Sequence, residues 1–113
     1  MILVVGPLGA GKLDYVKSLG YEDADIAPGV LDERPVINDA QNWIWAENGA
    51  CQELVARLSR KEVVICREVG SGLIPMDAEE TAKRRLVGHV CNCLAQEAVE
   101  VVRLICGIPQ RIK

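Results

Sequence analysis

The chain has 113 residues, half of them hydrophobic, which predicts one domain, residues 1–113, with enough apolar side chains for a core. Its net charge of -3 argues against a general nucleic-acid binder, because such proteins show a basic face, and no nucleic-acid partner is expected. No apolar stretch reaches the roughly 18 residues of a membrane span, and no basic segment precedes the first apolar run, so neither a membrane helix nor a signal peptide is expected.

The chain opens on an apolar stretch followed by a glycine-rich loop. Residues 2–5, ILVV, predict a buried strand with both faces covered. The next residues match G-x-x-x-x-G-K, the pattern of a P-loop, whose backbone N–H groups and lysine bind phosphate at the start of a helix. The predicted nucleotide-binding residues are Gly6, Pro7, Leu8, Gly9, Ala10, Gly11, Lys12 and Leu13.

One position of this loop departs from the pattern. A P-loop normally has Ser or Thr after the lysine, and its hydroxyl coordinates Mg²⁺, whereas this chain has Leu13. We therefore expect a nucleotide, GTP or ATP, to bind with weak dependence on Mg²⁺. The alternative is a glycine-rich turn from strand to helix that binds no ligand.

The next stretch leads to a second candidate carboxylate. Residues 13–19 predict a short helix that Gly20 ends, and the acidic residues 21–34 predict a loop with a helical turn at 29–33. Residues 35–39 predict a strand that ends in Asp39, which resembles a Walker B carboxylate near Mg²⁺. The alternative is that Asp39 caps the following helix, and the sequence leaves both open. If the protein is catalytic, Lys12 and Asp39 are the candidates.

The rest of the chain alternates between helices and strands. We expect a helix over 40–59, a strand over 62–69, a loop over 70–75, a helix that Asp77 and Glu80 begin as a capping box, and a strand over 99–106 before a short tail. Trp43 and Trp45 cannot both face one core, so one should lie at an interface or over a site, or be partly buried at the surface. The alternation predicts an α/β fold, a parallel sheet with helices on both faces.

Three further features have less specific meanings. Five cysteines at irregular spacings indicate buried thiols in a reducing cytoplasm, and Cys91-x-Cys93 is a poor zinc motif because residues two apart on a helix diverge. The cluster of Lys83, Arg84, Arg85 and His89 is interpreted as a solvated helix surface rather than an anion or subunit contact. His89, the single histidine, is not expected to be catalytic.

Residues 67–113 resemble the C-terminal part of the bifunctional adenosylcobinamide kinase / adenosylcobinamide-phosphate guanylyltransferase family. That family has an E-V-G-x-G-[IL]-[IV]-P loop, an R-x-x-x-G segment on the next helix, then an E-V strand, a glycine and a terminal lysine. The matching residues are Glu68, Val69, Gly70, Gly72, Leu73, Ile74, Pro75, Arg84, Gly88, Glu100, Val101, Gly107 and Lys113.

The resemblance implies a RecA-like P-loop sheet of about four strands in the order last-first-third-second, with residues 35–39 at an edge. It implies transferase and kinase chemistry in cobalamin biosynthesis, cobinamide as a candidate ligand, and a homo-oligomer, a trimer first and a dimer next. The interface is expected to include Trp43, Trp45 or the loop over 70–75.

The departures from the family concern catalysis. Family members are longer between the P-loop helix and the Walker B strand, where the histidine that accepts GMP lies, and this chain has no histidine before His89. The resemblance therefore implies a shortened member that lacks the guanylylated histidine and is not expected to turn over as an ordinary kinase. The alternative function is a non-catalytic nucleotide-sensing or assembly module that partners a full-length enzyme.

Overall fold

A six-stranded sheet forms the centre of the molecule, seen in a computed structural model that describes residues 1–68 and 77–113. Five strands are parallel and the last is antiparallel to its neighbour, in the order β2-β3-β4-β1-β5-β6. The strands are β1 (Ile2–Gly6), β2 (Ile26–Pro28), β3 (Val36–Asn38), β4 (Val63–Arg67), β5 (Glu100–Ile105) and β6 (Ile108–Arg111).

Helices cover both faces of this sheet because each central strand is apolar on both sides. The helices are α1 (Lys12–Ser18), α2 (Ala40–Glu47), α3 (Cys51–Leu58) and α4 (Ala78–Glu97), with a short 3-10 turn at Asp23–Asp25. One core cluster joins the strands to α2, α3 and α4, and the other joins them to α1. In β4, Val64 belongs to the first cluster and Ile65 to the second, as alternation along a buried strand requires.

The predicted RecA-like α/β class is confirmed, and so is the predicted order of the four central strands, β5-β1-β4-β3. The strand count of four is wrong, because both edges carry one more strand. Residues 26–28, predicted as loop, form β2 and pair with β3, so the strand after Pro35 is not the edge. No helical turn forms at residues 29–33. The predicted tail forms β6 against β5.

The helix predicted over residues 40–59 is in fact two helices. Asn48 ends α2 in the left-handed region, with φ of 47°, and Ala50 precedes α3 in an extended conformation. Asn and Gly tolerate left-handed backbone better than other residues, so the Asn48-Gly49 pair turns the chain there. The apolar residues keep helical spacing across this break, so the sequence pattern does not indicate it.

Helix α4 begins at the predicted position, with the Asp77 half of the predicted capping box formed. The Asp77 carboxylate accepts a hydrogen bond from the Glu80 backbone N–H at 2.7 Å. The first part of this helix packs against nothing apolar that the structure describes: Ala78 and Ala82 are exposed, and full burial begins at Val87. The predicted loop over 70–75 lies outside the described residues. Among the helices that the structure describes, none is long and apolar enough to cross a membrane.

Candidate functional site

The glycine-rich loop joins β1 to α1 at the carboxyl edge of the parallel strands. Gly6 ends β1 where a Cβ atom would lie only 2.8 Å from the Leu104 carbonyl oxygen, so a side chain there would force the strands apart. Gly11 precedes α1 with φ of 89°, a conformation that L side chains rarely adopt. Steric constraints of this fold thus explain why two of the three residues that define the P-loop pattern, Gly6 and Gly11, are glycines.

The Lys12 side chain is folded back into the loop. Its ammonium Nζ donates to the Pro7 carbonyl oxygen at 2.8 Å, and only 9% of the residue is exposed. Burial lowers the pKa of Lys12 below its usual 10.5, an effect that the Asp39 carboxylate opposes and the Arg67 guanidinium assists. A cation in this setting gains from an anion that replaces the neutral carbonyl partner.

A pocket of about 370 Å³ opens between the P-loop and the end of β3. The loop and the first residues of α1 line one side, and Asn38 and Asp39 line the other. Its volume lies at the lower end of the range of small-molecule sites. Lys12 and Asp39, which are distant in sequence, therefore face the same pocket.

Asp39 occupies the N-cap position of α2 without capping the helix through its side chain. Its backbone is left-handed, with φ of 52°, and its carboxylate accepts no hydrogen bond from the backbone N–H groups in the first turn of α2. Instead, Oδ1 accepts from the Gln41 side-chain amide at 3.1 Å. Asp39 therefore occupies the cap position, but its side chain does not cap the helix. Its carboxylate lines the pocket instead.

Gln41 is a site residue that the sequence analysis missed. Its side chain is 1% exposed and also accepts a hydrogen bond, at Oε1, from the Arg67 backbone N–H at 3.0 Å. One amide thus links the ends of β3 and β4. The available signal was a polar residue beside Ala40 and Ile44 on the inner face of a helix, where an apolar residue is the rule.

The turn between β5 and β6 also touches the P-loop, which the sequence did not predict. Cys106 and Gly107 both have positive φ, as in a tight two-residue hairpin turn. The Gly107 N–H donates to the Ala10 carbonyl oxygen at 2.9 Å. The last hairpin therefore supports the glycine-rich loop from behind, on the side away from β3.

The residues present do not match the usual Mg²⁺ set of a P-loop. Leu13 lies where a hydroxyl would stand, and its side chain packs against the core cluster beneath α1. Among the residues that the structure describes, the side-chain oxygens that line the pocket belong to Asp14, Asp39 and Asn38. Mg²⁺ prefers one or two carboxylates together with waters and phosphate oxygens, so a carboxylate ligand is available here, but the hydroxyl ligand of a P-loop is replaced by Leu13.

The remaining candidates lie away from the pocket. His89 and Arg85 are exposed on α4, and Lys83 pairs with Glu79 at 3.4 Å, as expected for a solvated surface. Trp43 is 5% exposed, with the Arg57 guanidinium 5.0 Å from its ring centre, so Trp43 is the tryptophan that faces the core. Trp45 packs partly against the core, and its enclosed Nε1 has no acceptor among the described residues.

Comparison with known proteins places the chain in a family. The family model described as cobinamide kinase / cobinamide phosphate guanyltransferase matches residues 30–112, which is well over half of the chain. The match contains Asp39, Gln41 and α4, whereas the P-loop precedes it. No curated protein matches the chain. On the extent of this match, the chain belongs to the cobinamide kinase / cobinamide phosphate guanyltransferase family.

Proposed function

We propose that this protein binds the phosphate groups of a nucleotide, GTP or ATP, at residues 6–13, with little help from Mg²⁺. The observation that supports this most is the buried Lys12 ammonium, whose only side-chain hydrogen bond among the described residues is to the Pro7 carbonyl. No carboxylate within the described part of the chain forms a salt bridge with it. A phosphate oxygen would take the place of that carbonyl and compensate the buried charge.

The role of the metal follows from Leu13. In P-loop enzymes the metal neutralises the transferring phosphate, and the protein holds it through a hydroxyl and a carboxylate. Here Asp39 can supply the carboxylate, but Leu13 supplies no oxygen. We infer that nucleotide binding relies on Lys12 and backbone N–H groups, so adding Mg²⁺ should change the affinity little.

Membership in the family suggests an ancestral role in cobalamin biosynthesis, with a nucleotide and cobinamide as ligands. We propose that the guanylyl-transfer step is absent from this chain. Its single histidine, His89, is exposed on α4 and does not line the P-loop pocket. Five free cysteines support a reducing compartment such as the cytoplasm.

A second candidate function is a non-catalytic module that senses a nucleotide or assembles with a full-length family member. The exposed apolar residues near the β5–β6 edge favour it, because Val99, Ile108 and Ile112 are all more than half exposed. Exposed apolar residues mark an interaction surface when they form a contiguous patch, and this is the arrangement we propose for them. Both candidates share nucleotide binding and differ in whether phosphoryl transfer remains.

Calorimetric titration with GTP, ATP, GDP and inorganic phosphate, with and without Mg²⁺, tests the shared claim. We expect weak binding of the nucleotides that changes less than about threefold when Mg²⁺ is added. Absence of any heat at millimolar nucleotide would exclude the proposal, and an affinity that collapses without Mg²⁺ would exclude the role given to Leu13.

Incubation with labelled GTP separates the two candidates. We expect no acid-labile GMP on the protein under either candidate function. Phosphoryl transfer to cobinamide should stay at background if the protein is a non-catalytic module. A phosphoramidate mapped to His89 would contradict the proposal, whereas cobinamide phosphorylation above background would favour residual kinase activity.

A further inference from the structure

Two cysteine side chains meet between the central sheet and α4. The Sγ atoms of Cys66 on β4 and Cys91 on α4 lie 3.3 Å apart. Cys66 is fully enclosed, with 0% exposure, while Cys91 is partly exposed. Neither residue lines the P-loop pocket, so the proposed nucleotide site gives no reason for this contact.

We propose that Cys66 and Cys91 form an oxidisable dithiol that a hydroperoxide converts into a disulfide, tying α4 to β4. The distance supports this, because a disulfide bond is about 2.05 Å long and closing the gap needs a shift of little more than 1 Å. Such a shift is small for a helix packed on a sheet, and it requires no change in the order of the strands.

A cavity provides the route for the oxidant. A space of about 290 Å³ lies between α4 and the sheet, and Cys91 lines it together with Val5 and Val101. A water molecule occupies about 30 Å³ of liquid, so a molecule of the size of hydrogen peroxide fits easily. Cys66 does not line this cavity. Cys91 is therefore the thiol that peroxide meets first, and Cys66 is the thiol that resolves.

The pKa shifts of the two thiols agree with Cys91 as the thiol that attacks peroxide and Cys66 as the thiol that resolves. The contact with Cys66 lowers the pKa of Cys91, against the opposing effect of burial. The same contact, together with burial, raises the pKa of Cys66. The thiolate is the nucleophile in such reactions, and Cys91 is the member of the pair that ionises more readily.

The reaction balances in two steps. The Cys91 thiolate attacks one peroxide oxygen, the O–O bond breaks, and Cys91 sulfenic acid forms while hydroxide takes up a proton to give water. The Cys66 sulfur then attacks the Cys91 sulfur, the S–S bond forms, the S–O bond breaks, and the departing hydroxide leaves as water with the Cys66 proton. Two thiols are oxidised and one peroxide is reduced to two waters.

The other cysteines provide matched controls. Cys51 on α3 and Cys93 on α4 form a second pair of neighbours, and burial together with the nearby Cys93 raises the pKa of Cys51. Cys106 is exposed in the β5–β6 turn. Cys106 should oxidise without closing an internal bond, and the Cys51 pair tests whether proximity alone is sufficient.

The test uses the whole chain treated with stoichiometric hydrogen peroxide, followed by acid quenching, thiol blocking and peptide mapping by mass spectrometry. We expect the main internal cross-link to join Cys66 to Cys91. Because the cross-link restricts the unfolded chain, the oxidised protein should melt on the order of 10 °C higher. Cys66→Ala should abolish that rise, whereas Cys51→Ala should preserve it.

Three results would overturn the proposal. They are a main internal disulfide between Cys51 and Cys93, over-oxidation of Cys91 with Cys66 left as a thiol, or oxidation confined to Cys106. Peptide mapping is done on the unsubstituted protein, so the result does not depend on whether a variant folds, and it does not require nucleotide binding.

Discussion

The side-chain amide of Gln41 donates to a carboxylate oxygen of Asp39 at 3.1 Å, at the point where β3 gives way to α2. The same side chain accepts from the Arg67 N–H at the end of β4. Gln41 therefore fixes the carboxylate that faces Lys12 and links the two strand ends on that side of the pocket. A buried amide that makes both hydrogen bonds stabilises the protein more than an apolar residue of the same size would.

Replacing Gln41 with Leu should destabilise the protein by about 1–3 kcal/mol, because the Arg67 N–H loses its partner inside the protein. Gln52→Leu is the matched control, since Gln52 is exposed on α3 and should change stability by less than about 0.5 kcal/mol. Urea unfolding followed by circular dichroism measures both. Equal effects of the two substitutions would show that the Gln41 bridge contributes nothing.

Leu13→Thr should create the Mg²⁺ ligand that the loop lacks. We expect nucleotide affinity to become at least roughly tenfold stronger when Mg²⁺ is added, in contrast to the unsubstituted protein. The substitution exposes a hydroxyl to the core cluster beneath α1, so a stability loss of about 1–2 kcal/mol should accompany it. Leu13→Val is the control that changes the shape without adding an oxygen. An unchanged response of Leu13→Thr to Mg²⁺ would contradict the role assigned to this position.

The lowered pKa of Lys12 predicts that nucleotide binding weakens at alkaline pH. Burial is its main cause, so the free protein loses the Lys12 proton below the usual 10.5, and the attraction for phosphate is lost as pH rises through that lowered pKa. A bound phosphate raises the pKa again, so binding in this window takes up protons. Calorimetry in buffers of different ionisation heat measures this uptake. Absence of uptake as affinity falls would exclude Lys12 as the group responsible.

As pH rises, the lowered pKa of Lys12 changes stability in the opposite direction to its effect on nucleotide binding. Between the lowered folded pKa and the unfolded value of 10.5, the unfolded chain binds more protons at Lys12. Stability from this group alone therefore rises with pH across that window. The contribution of Lys12 to stability should thus increase over the pH range in which the ligand-free protein loses affinity for phosphate.

Self-association remains a prediction, a trimer first and a dimer next, and the exposed apolar residues suggest where contact occurs. Ile108 on β6 is 68% exposed and Ile112 is 60% exposed, next to the free edge of the sheet. Replacing both with Glu should convert the oligomer to a monomer in light scattering. Leu19→Glu, at an exposed apolar site at the end of α1, is the control and should leave the mass unchanged.

Two outcomes would count against this interface. A monomer across the micromolar range in the unsubstituted protein would refute self-association. An oligomer that survives the double substitution would move the contact elsewhere, with the partly buried Trp45 as the next candidate among the described residues.

The sequence was sufficient for the central sheet because local signals and burial agree there. β1 and β4 are continuous apolar runs, and such runs between helices indicate parallel strands. The edge strands gave no such signal. β2 has three residues in an acidic stretch, and β6 is exposed along its whole length, so its formation depends on pairing with β5.

Candidate site residues that belong to a sequence motif were predictable. Those that depend on tertiary contacts were not. Lys12 and Asp39 follow from the P-loop and Walker B patterns. Gln41 does not, because its two hydrogen bonds join residues from different strand ends. The contact of Gly107 with Ala10 depends on a turn that brings the last hairpin back over the loop, and spacing in the sequence cannot show it.

The most direct test of this account is calorimetric titration of GTP into three proteins at neutral pH without Mg²⁺. They are the unsubstituted chain, Lys12→Ala, and Lys17→Ala as the matched control, because Lys17 lies on the same helix and is more exposed. We predict that Lys12→Ala weakens binding at least roughly tenfold, while Lys17→Ala changes it less than about twofold. Equal affinity in the Lys12→Ala protein and the unsubstituted chain would contradict the claim that this loop binds phosphate.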